Sequence, residues 1–379
     1  SNRSFDESYD KLILSPGASA FVPPVPGADG TNVFTLKTIP DMDGIVEFMK
    51  VKSPKHATVI GGGYIGLEAA ENLKEKGLNV AVIEMADQVM TPADADMAAI
   101  LHEHIGLYGV QLHLGAGLEK LEHKEGGRTT VSAKGVEPFE TDLVIMAVGV
   151  RPENELAKAA DLDIGPRGGI VVDETMKTSN EDIYAVGDAV QVTDSVTGNP
   201  IQIPLASPAN RQGRLAADHI FGKDVKYRGT MGTAVCKVFD LAIAMTGQTE
   251  KACKRDKRPC KTMTVHPFDH AVYYPGACRL TLKIVFSPDD GKLLGAQAVG
   301  AEGADKRIDV LATAVTAGMT VYDLEHLELC YAPPYGAAKD PVNVAGFAAA
   351  NMLRGDHRAI TVDELDELKE ADYTLLDIR

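Results

Sequence analysis

Hydrophobic residues recur along the chain at two spacings, those of buried strands and of helices with one apolar side. The stretches "ATVI" and "NVAVIE", within residues 56–85, are almost wholly apolar, as expected for strands covered on both faces of a sheet. Between them, apolar residues recur at helical spacing over Ile65–Lys76, and Gly77 ends the predicted helix. Residues 56–85 therefore form a strand–helix–strand unit with parallel strands.

The pattern extends this unit into an α/β domain with the predicted bounds 40–155. It favours a helix over residues 94–107 and strands at "GVQLHLG", "TTVSAK" and "TDLVIMAVG". A shorter α/β region follows over 156–228, where "IYAVGDAV" predicts a strand and "PANRQGRLAADHIFG" a helix. An apolar strand at "DKLILSPGA" opens the chain within a first segment, residues 1–39.

Residues 229–355 carry the pattern of an antiparallel α+β domain. In "RLTLKIVF" apolar residues alternate with polar neighbours, and a five-residue loop with glycine joins this strand to "KLLGAQAV", which predicts a hairpin. Helices are predicted near residues 304–317 and at "VNVAGFAAANML". Residues 356–379 give an acidic helix and a strand that ends at Asp-Ile-Arg, so we expect the chain to be a piece of a longer protein at both ends.

Charge and cysteine content exclude several classes of partner and site. The net charge of −16 argues against nucleic acid or an acidic membrane surface as a partner. No apolar run approaches the ~20 residues that a membrane helix needs, and the polar start shows no signal peptide. The five cysteines have neither C-x-x-C nor zinc-ligand spacing, which predicts no metal centre and a reducing, cytoplasmic location with mostly buried thiols.

A glycine-rich turn within the strand–helix–strand unit predicts a dinucleotide site. Gly61 permits the tight turn, Gly63 lets a pyrophosphate approach the backbone, and Gly66 lets the helix pack closely on the strand. Glu84 ends the second strand, 18 residues after Gly66, where a carboxylate takes the ribose hydroxyls and repels a 2′-phosphate. This arrangement favours NAD(H) over NADP(H); the alternative is a domain whose glycines serve packing only.

A second carboxylate stands at the end of a predicted strand. The segment "TSNEDIYAVGDAV" runs through an apolar strand and stops on Gly-Asp, which delivers Asp188 to the rim of a parallel sheet. The residue is either a ligand-binding carboxylate or a solvated turn aspartate, since aspartate is common in turns.

In this order the motifs resemble those of the pyridine nucleotide-disulfide oxidoreductases with two dinucleotide-binding domains. The resemblance rests on "YDKLILSPGA", "VIGGGYIGLEAAENL", "VIMAVGVRPEN", "TSNEDIYAVGDAV" and "PLASPANRQGR". The later segments "GTAVCKVFDLAIAMTG", "YYPGA", "DKRIDVLATAV" and "LELCYAPPYGAAKDPVNVAGF" are most similar to the coenzyme A-disulfide reductase and NADH-dependent persulfide reductase branch with a fused rhodanese domain. The resemblance covers about residues 5–355, and "ITVDELDEL" with "TLLDIR" resembles the opening of a rhodanese.

This resemblance implies an α/β flavoprotein with a divided FAD domain. A Rossmann-like NAD domain at 40–155 would be inserted in a partial FAD domain made of 1–39 and 156–228. Residues 229–355 would be an α+β dimerisation domain, and 356–379 a linker with the start of a truncated rhodanese domain.

The resemblance also assigns residues to the cofactors and to coenzyme A. Asp188 would accept hydrogen bonds from the ribityl chain of FAD, and Asn210 would lie near the flavin. Gly149 would lie against the nicotinamide-side nucleotide, although glycine also commonly ends strands. Arg211 and Lys339 would lie near coenzyme A, where Lys339 would pair with a phosphate unless it is a solvated surface lysine.

Two tyrosines of the family's dimerisation domain reach the redox cysteine of the partner subunit in a homodimer. The matching positions are Tyr273 in "YYPGA" and Tyr331 in "YAPPY", with Tyr274 and Tyr335 as alternatives. A phenol beside a thiolate donates a hydrogen bond and supplies a proton to a leaving thiol. The alternative is that these tyrosines are amphipathic interface residues.

For the intact protein, the resemblance implies a reductase that passes hydride from NADH through FAD to a redox cysteine. Thiol would be released from coenzyme A persulfide, coenzyme A disulfide or polysulfide, and the rhodanese resemblance favours persulfide. The family's N-terminal segment, which carries the redox cysteine and a first glycine-rich motif, has no counterpart here; Cys330 lies beside Tyr331 but outside that context. We therefore expect this polypeptide to be catalytically impaired. The alternatives are a flavin NADH oxidase that reduces oxygen and a non-catalytic NAD-binding and dimerisation module.

Overall fold

Two short strands open the computed structural model, which describes residues 5–357, 359–360, 362–368 and 373–376. They are β1 (Leu12–Leu14) and β2 (Ala18–Ala20). β1 pairs in parallel with the strand at Ile183–Ala185, so the predicted strand in "DKLILSPGA" is confirmed and lies beside "IYAVGDAV". The chain therefore joins its start to a segment far along the sequence.

The next domain is built on a five-stranded parallel sheet in the order β3-β10-β4-β5-β6. Its elements are β3 (Val33–Thr35), α1 (Ile39–Lys52), β4 (His56–Ile60), α2 (Tyr64–Glu75), β5 (Asn79–Ile83), α3 (Ala95–Leu107), β6 (Gln111–His113), β7 (Leu118–His123), β8 (Thr129–Ala133), β9 (Val136–Thr141), β10 (Leu143–Met146) and β11 (Val150–Pro152). The helices α1, α2 and α3 pack on one face, and the antiparallel sheet β7-β8-β9 covers the other. We call this unit the central domain; its predicted strand–helix–strand unit is confirmed.

A smaller region follows the central domain and packs against the first strand of the chain. Its elements are α4 (Glu155–Ala159), β12 (Ile170–Val171), β13 (Ile183–Ala185), a 3₁₀ turn (Gly187–Ala189), β14 (Val190–Thr193), β15 (Pro200–Ile201) and α5 (Ala206–Ile220). Leu14 of β1 and Ala216 of α5 share one core with β13. β2 pairs with β11 in antiparallel fashion, which links this region to the central domain.

The C-terminal domain has a five-stranded antiparallel sheet in the order β16-β17-β20-β19-β18. Its elements are β16 (Ala234–Val238), β17 (Leu241–Gly247), α6 (Glu250–Arg255), β18 (Lys261–Val265), β19 (Leu280–Phe286), β20 (Leu293–Gly300), α7 (Ala304–Thr316), α8 (Val321–Glu325) and α9 (Pro341–Arg354). The predicted hairpin and both predicted helices are confirmed. Helices α7 and α9 pack against the sheet, while Cys236, Val238 and Met245 join the core of the central domain.

The last described helix is α10 (Val362–Asp366), which confirms the predicted acidic helix. The strand predicted to end at Arg379 runs into residues outside the described part of the chain, and so does much of the rhodanese-like start at 356–379. The α/β class and the α+β C-terminal domain are confirmed, whereas the domain boundaries and the rhodanese domain stay predictions.

Candidate functional site

Three glycines shape the turn between β4 and α2. Gly61 has φ +108°, and a Cβ there would lie 2.3 Å from the carbonyl oxygen of Ala147 on the neighbouring segment. A Cβ on Gly66 would lie 1.9 Å from the carbonyl oxygen of Gly61, so α2 packs directly on the turn. Both positions therefore need glycine for packing, in the roles that the motif predicted.

The third glycine leaves the start of α2 open. Gly63 is the N-cap residue, no side chain caps the helix, and a Cβ on Gly63 would meet nothing within 4 Å. The first backbone N–H groups of a helix lack intrahelical partners and carry a partial positive charge. Open space in front of such a helix suits a phosphate. The observed turn thus fits a dinucleotide pyrophosphate.

Glu84 is held against this turn at the end of β5. Its Oε2 accepts the backbone N–H of Gly62 at 2.7 Å, and its Oε1 accepts that of Ala86 at 2.8 Å. Each carboxylate oxygen retains a further lone pair for a ligand hydroxyl. The carboxylate is half-buried and fixed in orientation by the same turn that fits the pyrophosphate.

Gly149 follows β10 at the same edge of the parallel sheet. β10 pairs with β4, with Met146 opposite Ile60, so the segments after both strands emerge together. Gly149 is exposed with φ +109°, a Cβ there would meet nothing within 4 Å, and its carbonyl accepts the N–H of Phe21 at 2.9 Å. Its position beside the glycine turn suits the predicted contact with a bound nucleotide.

Asp188 lies in the short 3₁₀ turn after β13. Its Oδ2 is 3.1 Å from Nζ of Lys37, and 20% of its side chain is exposed. The turn is fixed by Gln212, whose Oε1 accepts the N–H of Gly187 at 2.8 Å. Lys37 and Gln212 were not predicted; Gln212 lies inside the motif "PANRQGR", but nothing local to Lys37 indicates its partner.

Two predicted residues of α5 lie on its exposed side. Asn210 is exposed, and Arg211 donates from Nη1 to Oγ of Ser207 at 2.8 Å. They share α5 with Gln212, whose Oε1 accepts the N–H of Gly187. The Asp188 carboxylate and the Asn210 amide suit the sugar hydroxyls of a flavin dinucleotide, whereas the Arg211 guanidinium suits a phosphate.

The predicted tyrosines meet across two loops of the C-terminal domain. Tyr273 lies in the first tyrosine loop (266–279) and Tyr331 in the second tyrosine loop (326–340), and their phenol oxygens are 3.3 Å apart. The hydrogen bond to Tyr331 raises the pKa of the Tyr273 phenol. Tyr273 is 74% exposed and Tyr331 48% exposed, so the pair faces outward from the chain.

The alternative tyrosines have other surroundings. Tyr274 lies edge-on to the ring of His270, with centroids 6.0 Å apart, and Tyr335 is 72% exposed. His270 Nδ1 is 2.7 Å from Oδ2 of Asp269, and this hydrogen bond raises the pKa of His270. The structure thus pairs Tyr273 with Tyr331.

Cys330 and Lys339 both lie in the second tyrosine loop, and both are exposed. Among the residues that the structure describes, Lys339 makes no hydrogen bond or ion pair. Of the other thiols, Cys236 and Cys253 are buried, and burial raises the pKa of each to about 12. In the described ranges, no direct hydrogen bond joins the tyrosine pair to the glycine turn.

The described residues lack two further features. They contain no group of three or more His, Cys, Asp or Glu side chains arranged to hold a metal ion. No helix in this part of the chain combines the length and apolar character that crossing a bilayer requires.

The sequence matches one protein family along most of its length. Residues 2–213 match the family described as pyridine nucleotide-disulphide oxidoreductase, and residues 233–340 match the dimerisation domain of the same description.

Named relatives differ in their activities. The chain is 38% identical over 352 residues to an NADH oxidase of Methanocaldococcus jannaschii, covering 92% of this chain and 77% of the relative. It is 35% identical over 349 residues to a coenzyme A disulfide reductase of Staphylococcus aureus, with the same coverage of 92% and 77%.

Solved structures give the same picture of the fold. The reduced Bacillus anthracis protein CoADR-RHD superposes with a TM-score of 0.94 at 49% identity, covering 96% of this chain and 65% of that one. An NAD-dependent persulfide reductase from A. fulgidus superposes with a TM-score of 0.91 at 38% identity, covering 96% and 67%. The chain therefore spans about two thirds of the length of these structures.

Proposed function

Because the chain belongs to the pyridine nucleotide-disulphide oxidoreductase family, whose members use FAD and NAD(P)H, we propose that it serves NADH-dependent reduction of a sulfur–sulfur bond on coenzyme A. The family predicted from the sequence motifs is confirmed. The substrate would be coenzyme A persulfide or coenzyme A disulfide, and polysulfide is the alternative sulfur–sulfur substrate without coenzyme A. The observation that carries the proposal is the Tyr273–Tyr331 pair, with phenol oxygens 3.3 Å apart on an exposed face.

The glycine turn and Glu84 would hold NADH. The open start of α2 at Gly63 would bind the pyrophosphate through backbone N–H groups, and Glu84 would accept hydrogen bonds from the adenosine ribose. A 2′-phosphate would face the Glu84 carboxylate, which two backbone N–H groups keep in place. This repulsion supports NADH over NADPH.

Asp188, Asn210 and Gly149 would hold FAD and the nicotinamide beside it. The Asp188 oxygens suit the ribityl hydroxyls, and Gln212 keeps the Asp188 turn in position through the Gly187 N–H. When bound, the flavin supplies the electron transfer between nicotinamide and sulfur. The protein contributes orientation through these contacts.

The tyrosine pair would act on the sulfur side of the reaction. A phenol O–H donates a hydrogen bond to a thiolate and supplies a proton to a leaving thiol. Because Tyr273 hydrogen-bonds Tyr331, whichever phenol loses its proton remains hydrogen-bonded to the other. Both side chains are exposed, which supports a site completed by a second copy in a homodimer.

Coenzyme A phosphates would be bound by exposed basic groups. Lys339 lies in the second tyrosine loop with its ammonium group accessible, and Arg211 presents its guanidinium from α5. An ammonium is a point charge suited to a phosphate, whereas a guanidinium binds in a planar fork. Both would orient the substrate.

The proposal is tested with purified protein that also carries the family's redox-cysteine segment, supplied with FAD and NADH without oxygen. We expect NADH oxidation to depend on coenzyme A persulfide or coenzyme A disulfide, and Tyr273→Phe with Tyr331→Phe to lower kcat by about 10²-fold or more. The matched control is Tyr335→Phe, in the same loop and 72% exposed. Unchanged turnover in the double variant would exclude the proposed role of the pair.

A second candidate is a flavin NADH oxidase. It is favoured by the 38% identity to the Methanocaldococcus jannaschii NADH oxidase. NADH oxidation that requires oxygen and ignores the coenzyme A substrates would support this candidate. NADH binding without turnover in either assay would support the NAD-binding and dimerisation module.

A further inference from the structure

One buried arginine forms hydrogen bonds with both tyrosine loops. Arg307 lies on α7 and is 2% exposed. Its Nη2 donates to the backbone carbonyl of Asp269 in the first loop at 2.6 Å and to Oδ2 of Asp340 in the second loop at 2.8 Å. Its Nε donates to Oδ1 of Asp340 at 3.3 Å. A single guanidinium thus contacts both loops at once.

Asp269 and Asp340, the two loop residues that Arg307 contacts, are themselves held by further hydrogen bonds. Asp269 closes the first loop, because its Oδ1 accepts the N–H of Cys278 at 2.7 Å and its own N–H donates to the carbonyl of Cys278 at 2.9 Å. Asp340 is the N-cap of α9, and its Oδ1 accepts the N–H of Val342 at 3.0 Å. Movement of either aspartate would therefore move its whole loop.

The loops also contact each other directly at one backbone hydrogen bond, and α7 contacts the second loop at another point. The N–H of Ala271 donates to the carbonyl of Gly336 at 2.9 Å. Lys306, the residue before Arg307, donates from Nζ to the carbonyl of Tyr335 at 3.3 Å. Together with the bonds of Arg307, these contacts connect both loops and α7.

We infer that Arg307 is a positioning residue that sets the relative placement of the two loops and so keeps the Tyr273 and Tyr331 oxygens within hydrogen-bonding distance. Stability alone explains the arrangement poorly, because well-packed apolar side chains often replace a buried ion pair without loss. A planar guanidinium does what an apolar side chain does not, since it fixes several acceptors at defined directions. The inference rests on the proposed function for its importance, but its test does not depend on catalysis.

The test is Arg307→Lys, which keeps the charge and removes the fork. A lysine ammonium cannot reproduce the bidentate contact with Asp340 together with the Asp269 carbonyl. Tyr273 is monitored by alkaline titration of tyrosinate absorbance, as the difference between each protein and its Tyr273→Phe version. In the parent we expect a delayed ionisation, since the hydrogen bond to Tyr331 raises this pKa. In Arg307→Lys we expect ionisation at the pH of an ordinary exposed tyrosine.

Arg354→Lys is the matched control. Arg354 lies on α9 in the same domain and makes a bidentate pair with Glu325, at 2.8 and 2.6 Å, away from both tyrosines. The Arg354→Lys variant should retain the delayed ionisation of Tyr273. Delayed ionisation that persists in Arg307→Lys, or that is lost equally in Arg354→Lys, overturns the inference.

A second variant covers the case in which Arg307→Lys does not fold. Arg307→Met with Asp340→Asn removes both buried charges, and asparagine still caps α9. If this protein folds and retains the delayed ionisation, the inference is overturned; ordinary ionisation supports it. Loss of turnover in Tyr273→Phe with no titration change in Arg307→Lys would reject the role of Arg307 while leaving the proposed function intact.

Discussion

Replacing Lys283 by methionine tests how the central and C-terminal domains are held together. Lys283 lies on β19 and is 3% exposed. Its Nζ is 2.7 Å from Glu250, 2.9 Å from Asp96 and 3.1 Å from Asp94. Asp94 and Asp96 begin α3 of the central domain, so this lysine joins the two domains through buried charge. Lys283→Met keeps the apolar stem and removes the charge.

The expected cost follows from the exposure of the three carboxylates. Asp96 has 51% of its side chain exposed and can return to water, whereas Asp94 has 5% and Glu250 19%. Removing one partner of a buried ion pair costs ~3–5 kcal/mol. Asp94 still accepts the N–H groups of Glu250 and Lys251, at 3.1 and 2.9 Å. We therefore expect the lower end, a loss of ~3 kcal/mol in the free energy of unfolding.

The penalty should depend on pH in a defined direction. Burial raises the pKa of Glu250, but hydrogen bonds from Lys254 and Lys283 outweigh it and hold the pKa below the ordinary value of 4.5. A carboxylate with a lowered pKa contributes stability above its unfolded pKa and loses it as the pH falls through its folded pKa. The difference between parent and Lys283→Met should thus be full above pH 4.5 and shrink in more acidic solution.

Urea unfolding near neutral pH and in acid measures both effects. The control is Lys254→Met, because Lys254 pairs with the same Glu250 at 2.6 Å but has 65% of its side chain exposed. Exposed pairs at this helical spacing contribute only ~0.3–0.5 kcal/mol. If Lys283→Met and Lys254→Met lose equal stability, or if the Lys283→Met penalty grows in acid, the reasoning about buried charge is wrong.

Three further predictions concern the cofactor side. Glu84→Ala should weaken NADH binding by ~10–100-fold in a fluorescence titration, as expected for a lost charge-assisted hydrogen bond. The control Glu68→Ala, on the exposed side of α2, should leave NADH affinity unchanged. Equal NADH affinities in the two variants would reject the assignment of Glu84 to the ribose. Gly66→Ala should abolish NADH binding and lower the melting temperature, because its Cβ would lie 1.9 Å from a backbone oxygen, and normal binding would contradict the observed packing. Asp188→Ala should weaken FAD binding by ~10-fold or more. The control Asp182→Ala, which removes the exposed ion-pair partner of Lys11, should leave FAD affinity unchanged. Equal FAD affinity in the two proteins would reject the ribityl assignment.

The parts of the site that local spacing encodes are predictable from the sequence. The glycine turn and Glu84 fall within one strand–helix–strand unit, so the motif alone predicts their geometry. β7 and β9 were missed, because "LEKLEH" and "VEPFET" bury one residue each and lack a clear alternation. The Lys37–Asp188 pair joins residues 151 positions apart, a contact that tertiary structure creates and no local pattern encodes.

The tyrosine pair shows why the remaining contacts lie beyond motif reasoning. Tyr273 and Tyr331 are 58 positions apart, and their motifs predict a shared site without saying what holds them together. The structure supplies Arg307, a fully buried residue whose partners are a backbone carbonyl and a helix cap. Burying the Arg307 charge costs desolvation free energy. The tyrosines above it are 74% and 48% exposed and would otherwise keep their rotational freedom. We therefore interpret the buried charge as serving the placement of the two phenols. The same arrangement presents two phenols outward at fixed spacing, as a site that a second copy completes would require.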